Sequence, residues 1–77
     1  MKKKDETLLR EVVDELASEG NLDASTIAVA VKDGVVELLG TVPSFVERRI
    51  AESAARRIVG VRRVVDKLRT ANGASAK

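Results

Sequence analysis

The stretch Ile27-Ala28-Val29-Ala30-Val31-Lys32-Asp33-Gly34-Val35-Val36-Glu37-Leu38-Leu39-Gly40-Thr41-Val42 decides the fold. Apolar residues alternate on both sides of Asp33-Gly34, which is the period of a half-buried strand, and Asp-Gly tolerates the positive φ that a two-residue turn demands. The stretch therefore predicts a β-hairpin. In its first strand Ile27, Val29 and Val31 share one row, opposite Ala28, Ala30 and Lys32. In its second, Val36, Leu38, Gly40 and Val42 face away from Val35, Glu37, Leu39 and Thr41. The more apolar row of each strand is assigned to the core. Pro43 ends the second strand because it has no amide hydrogen for a ladder.

Working outward towards the start, Leu8, Leu9, Val12, Val13, Leu16 and Ala17 recur at helical spacing with Arg10, Glu11, Asp14, Glu15 and Ser18 opposite, an amphipathic helix of about four turns. Asp5 is expected to cap its start and Gly20 to end it in a left-handed conformation. Towards the end of the chain, Ser44-Phe45-Val46-Glu47 reads as a capping box opening a second helix. The apolar stripe of that helix is Val46, Ile50, Ala51, Ala54, Ala55 and Ile58, and Gly60 stops it. Residues 61–70 predict a third strand, with Val64 and Leu68 in one row and Arg63, Val65, Lys67 and Arg69 in the other. Asp66 falls in the buried row, so it is expected near an edge.

The resulting order is α-β-β-α-β, an α+β fold with two helices packed on one face of a three-stranded mixed sheet. A crossover through the second helix makes strands two and three parallel. The pattern leaves open which neighbour strand three takes. Residues 5–70 form a single domain, flanked by a basic tail at 1–4 and a flexible, small-residue tail at 71–77.

Composition narrows the function. The 77 residues are 44% hydrophobic and 34% charged, which suits one folded unit, and Phe45 is the one aromatic residue. With no histidine or cysteine, the carboxylates Glu11, Asp14 and Glu15 sit on a polar helix face without a neighbouring histidine, cysteine or apolar pocket to tune them for acid–base work, so no enzyme activity is expected. Asn21, Asp23 and Ser25 alternate but lack the glycine and closing glutamate of a calcium loop. No metal or other cofactor is assigned. Specific nucleic-acid binding is not expected either, since Phe45 is read as a helix-packing residue and no clamping Gly-x-x-Gly loop is present. Met1-Lys2-Lys3-Lys4 runs into Asp5-Glu6 instead of the apolar core of a signal peptide, and no stretch reaches the roughly 18 apolar residues of a membrane span. The chain as written is expected in the cytoplasm, or in the periplasm or envelope if it is cut from a longer one.

The residues Ile27-x-Val29-x-Val31, Asp33-Gly34-Val35-Val36, Leu38-x-Gly40-x-Val42, Arg49-x-Ala51-Glu52-x-Ala54 and Gly60-Val61-x-x-Val64-x-Asp66-x-Leu68 together resemble the BON domain, named for bacterial osmotically induced and nodulation proteins. The resemblance spans about Thr7 to Thr70. It implies a noncatalytic module of the bacterial envelope, linked to osmotic stress, that associates with phospholipid or membrane surfaces or with other proteins.

Charge adds a clue that stands apart from the resemblance. Residues 1–43 hold five basic and nine acidic groups, whereas residues 44–69 hold eight basic and three acidic ones. Arg48, Arg49, Arg56, Arg63, Lys67 and Arg69 are thus candidates for contact with anionic phospholipid headgroups. A plainer account lets the acidic first helix and basic second helix pair along their rims. The second candidate surface is the sheet face away from the helices, where Leu39 and Val65 stand among cations. That face, or a sheet edge, is the alternative site for another protein domain or for homo-oligomer formation.

Overall fold

The computed structural model describes residues 4–71; the two expected tails lie outside this range apart from Lys4 and Ala71. The elements are α1 (Asp5–Ser18), a 3-10 turn (Ala24–Thr26), β1 (Ile27–Lys32), β2 (Val35–Val42), α2 (Phe45–Arg56) and β3 (Arg63–Thr70). The predicted α+β order is the observed one.

β2 is central, antiparallel to β1 and parallel to β3. Strand three therefore lies beside strand two. The hairpin register sets Val31 opposite Val36 and Ile27 opposite Gly40, so the predicted rows do share faces. Asp33 and Gly34 both adopt positive φ, 53° and 81°, the signature of a type I′ turn whose twist matches that of the strands.

Val36, Leu38 and Val42 of β2 form the centre of the core with Leu68, Val12, Leu16 and three alanines of α2. Ala51, Ala54 and Ala55 are fully buried. Their small side chains allow α2 to lie close on the sheet, and the flanking Ile50 and Ile58 are packed at its margins.

Both helical stripes are narrower than their sequences suggest. On α1 the buried residues are Leu8, Val12 and Leu16, one every four positions, which leaves Val13 44% exposed and Ala17 on the surface. On α2 Val46 is 63% exposed. The helix termini also depart from expectation. Asp5 is the first helical residue, not the cap; Lys4 occupies the cap position without a side-chain bond, and its carbonyl accepts the Leu8 amide at 3.0 Å. At the other end the chain leaves α1 through an extended Glu19, so Gly20 has no left-handed role; the positive-φ glycines are 34, 40 and 60.

The Asp5 carboxylate is committed elsewhere. It accepts the Asp33 amide at 2.8 Å and the Gly34 amide at 3.1 Å. The Gly34 carbonyl in turn accepts the Arg62 amide at 2.8 Å. One turn thus fastens the start of α1, the hairpin tip and the entry to β3.

Candidate functional site

The six predicted cations divide between two surfaces. Arg48, Arg49 and Arg56 project from α2 and line one open hollow of about 400 Å³ with Phe45, Glu52, Ser53 and Asp66. A second hollow of about 290 Å³ is lined by Arg56, Val61, Arg62, Arg63 and Val64. Because Arg56 borders both, five arginines form a continuous band from the outer side of α2 to the start of β3. Lys67 and Arg69 belong to the other surface, and Arg63, in their row at the start of β3, borders both. Lys67 and Arg69 alternate with Leu68 along β3 and lie on the sheet face away from the helices.

Within the band the arginines have different partners. Arg48 donates through Nε to Asp66 Oδ2 at 3.0 Å, beside a carboxylate only 12% exposed. The second Asp66 oxygen accepts the Leu68 amide at 2.9 Å. Asp66 does lie on an edge strand, as its awkward row required, and Arg48 with the Leu68 amide compensates its charge. Arg48 is therefore a structural partner as well as a wall of the hollow. Arg56 pairs with Glu52 one turn earlier at 2.7 Å, and this exposed contact contributes little to stability. Arg49 lies over the Phe45 ring, 5.9 Å from its centroid, within cation–π range. Arg57 is withdrawn from the band by Glu15 of α1 and by Glu19 just beyond its end. Those carboxylates hold the guanidinium above its ordinary pKa, Glu15 more than Glu19. The rim pairing of the helices is present, and it occupies Arg57, the residue that follows α2.

On the open sheet face, Lys67 pairs with Glu37 at 2.8 Å. Leu39 and Val65 are half-buried there. The ladder sets Leu39 opposite Lys67 and Val65 opposite Glu37, so apolar groups alternate with charged ones in both directions.

Phe45 overturns its assignment as a packing residue. It is 58% exposed because its neighbours one and two turns on are Arg48, Arg49 and Glu52, the charged side of α2. That spacing was readable in the sequence; adjacency to Val46 concealed it. Arg62, another member of the band, was also missed. Its signal is weak, since the residue lies between elements.

Two polar constellations resolve into local caps. Asp23 Oδ1 accepts both the amide and the hydroxyl of Ser25, opening the 3-10 turn, and the hydroxyl chiefly holds the carboxyl below its ordinary range. This is helix-capping chemistry. At the start of α2 the Ser44 hydroxyl donates to the Glu47 carboxylate, replacing the expected bond in which the serine accepts a backbone amide. The serine hydroxyl is the main reason that Glu47 is held below its ordinary value of 4.5. A depressed carboxyl stabilises the fold above its unfolded pKa and loses that contribution as pH falls through the folded value. In Ser44→Ala, Glu47 should titrate closer to 4.5 in an NMR pH series. The native protein's stability advantage over the variant should hold at neutral pH and vanish under strong acid; an unchanged Glu47 titration would remove the serine from the account.

Two helices on one side of a mixed three-stranded sheet, with open hollows and a band of arginines, define a small α+β module. The BON domain profile matches residues 4–72, nearly the whole chain. The chain belongs to the BON domain family. A search of curated proteins gives no match. Among the described residues, no helix is long and apolar enough to cross a membrane.

Proposed function

We propose that this domain is a noncatalytic module that docks on anionic phospholipid surfaces through the arginine band of α2 and β3. The observation that carries the reading is the pair of hollows joined at Arg56. Planar guanidiniums in adjacent open hollows suit phosphate oxygens, which they bind by paired hydrogen bonds. Family membership supports a binding role of this kind. The expected setting is the bacterial envelope, under osmotic stress.

The open sheet face supports a second reading. Leu39 and Val65 lie there uncovered by any described element, among Lys32, Arg63, Lys67 and Arg69 with Glu37 as the one carboxylate. So lopsided a charge disfavours placing two copies face to face and favours an acidic protein domain as the partner.

Co-sedimentation with phosphatidylcholine vesicles carrying increasing phosphatidylglycerol separates the readings. Bound fraction should rise with anionic lipid and fall steeply with salt, since each basic residue near the surface contributes about 1 kcal/mol. Combining Arg49→Gln with Arg56→Gln should weaken binding by roughly tenfold or more, whereas Leu39→Asp should have little effect. Equal binding to neutral and anionic vesicles would overturn the lipid reading. A loss confined to Leu39→Asp would move the site to the sheet face.

A further inference from the structure

We infer that Phe45 and Val46 form an apolar wedge that enters the headgroup–acyl boundary of an anionic bilayer while the neighbouring arginines stay at phosphate level. The inference rests on the lipid-docking reading and adds to it the end of the molecule that penetrates and the residues that do so.

Two consecutive large apolar residues in the first turn of α2 are mostly in water, 58% and 63% exposed. Their placement is specific. Phe45 borders the hollow that holds Arg48, Arg49 and Arg56, while Val46 borders a neighbouring one with Glu19, Arg49, Ile50, Ser53 and Arg57. Arg49 lines both hollows, so it stands between the two apolar side chains and over the face of the ring. An aromatic body under a guanidinium is the arrangement in which a cation remains hydrated or phosphate-bound while its apolar neighbour leaves water. Sequestering one phenylalanine and one valine gains several kcal/mol at most. That is too little for a stable anchor, and suited to reversible docking assisted by charge.

A bilayer fits these features better than a protein pocket does. The apolar area is only two side chains wide and is flanked by arginines, so a protein partner would have to supply both a tailored recess and the counter-charge. An anionic interface supplies both everywhere. α1 lies beside α2 and carries Glu6, Glu11, Asp14 and Glu15, so the domain would tilt with the first turn of α2 towards the bilayer and the outer side of α1 away from it.

The chain has no tryptophan or tyrosine, so a single introduced tryptophan reports its own surroundings. Phe45→Trp and, separately, Val46→Trp place the probe in the wedge; both positions are exposed, so the fold has room for the ring. Val13→Trp, on the outer side of α1, is the control. With vesicles containing phosphatidylglycerol, the first two should shift their emission to the blue and be quenched by lipids brominated on the acyl chain, and the control should do neither. Combining Phe45→Ser with Val46→Ser should lower vesicle partitioning by roughly tenfold, with the salt dependence unchanged because no charge is removed. If the protein co-sediments yet both wedge probes stay unquenched, the wedge is wrong and arginine docking stands. If it does not co-sediment with anionic vesicles at low salt, the docking reading fails and the wedge with it.

Discussion

Gly40→Ala should cost this domain much of its stability. Gly40 has φ 123°, and a Cβ built there would lie 2.1 Å from the Thr26 carbonyl oxygen, which is backbone. The partner atom belongs to the junction of the 3-10 turn and β1, and Ile27, the next residue, is the ladder partner of Gly40. Relief therefore requires moving a strand, not a side-chain tip. Backbone strain at positive φ alone is worth about 1–3 kcal/mol, and displacement of paired backbone adds to it. For a domain of this size about 3 kcal/mol corresponds to a drop in Tm of roughly 12–24 °C. Gly20→Ala is the matched control, because its new methyl would meet nothing within 4 Å and its φ is not in the left-handed region. Melting curves followed by circular dichroism should separate the two sharply. Equal melting temperatures would show that β2 accommodates a side chain at this point.

Asp5→Ala has the next largest expected effect, although the residue is a polar one in the first turn of α1. It removes the acceptor for two turn amides, Asp33 at 2.8 Å and Gly34 at 3.1 Å. Hydrogen bonds to a charged group are worth about 1.5–3 kcal/mol each when shielded; the more exposed setting of this pair brings the sum to about 2 kcal/mol. Part of the loss is a carboxylate from the first turn of α1, where it complements the helix dipole. Asp5→Asn distinguishes the contributions, since it retains one acceptor oxygen, and should fall between the native protein and the alanine variant. Hydrogen exchange at Gly34 gives the local readout. Unchanged protection there in Asp5→Ala would mean that the turn holds itself.

Asp5 also shows where sequence reading stops. The hairpin, the parallel crossover and the edge position of Asp66 were legible because each is written in neighbouring residues: a two-residue turn, a period of two, a misplaced carboxylate. The partner of Asp5 lies 28 positions away, and no local pattern announces it, so the residue was assigned the nearest available task as a cap. The same limit explains the helices. A 3.6-residue period marks a stripe of apolar residues but not its usable width, which depends on how much of it the sheet can cover. Val13 and Val46 fall beyond that cover. Of the candidate surface, the concentration of arginine in the second half was visible in the counts. Its division into an α2 band and a sheet face, and the diversion of Arg48 to Asp66 and of Arg57 to Glu15 and Glu19, depend on tertiary placement.

The Asp66 carboxylate that takes the Leu68 amide bears on crowding. β3 is the outer strand beside the arginine band, and bare outer strands are templates on which other chains polymerise. Here one of the amides such growth would recruit is already engaged by the strand's own side chain, and Arg48 stands beside that carboxylate. Where copies gather densely, that engagement takes one donor out of the set on which a neighbouring strand would have to pair.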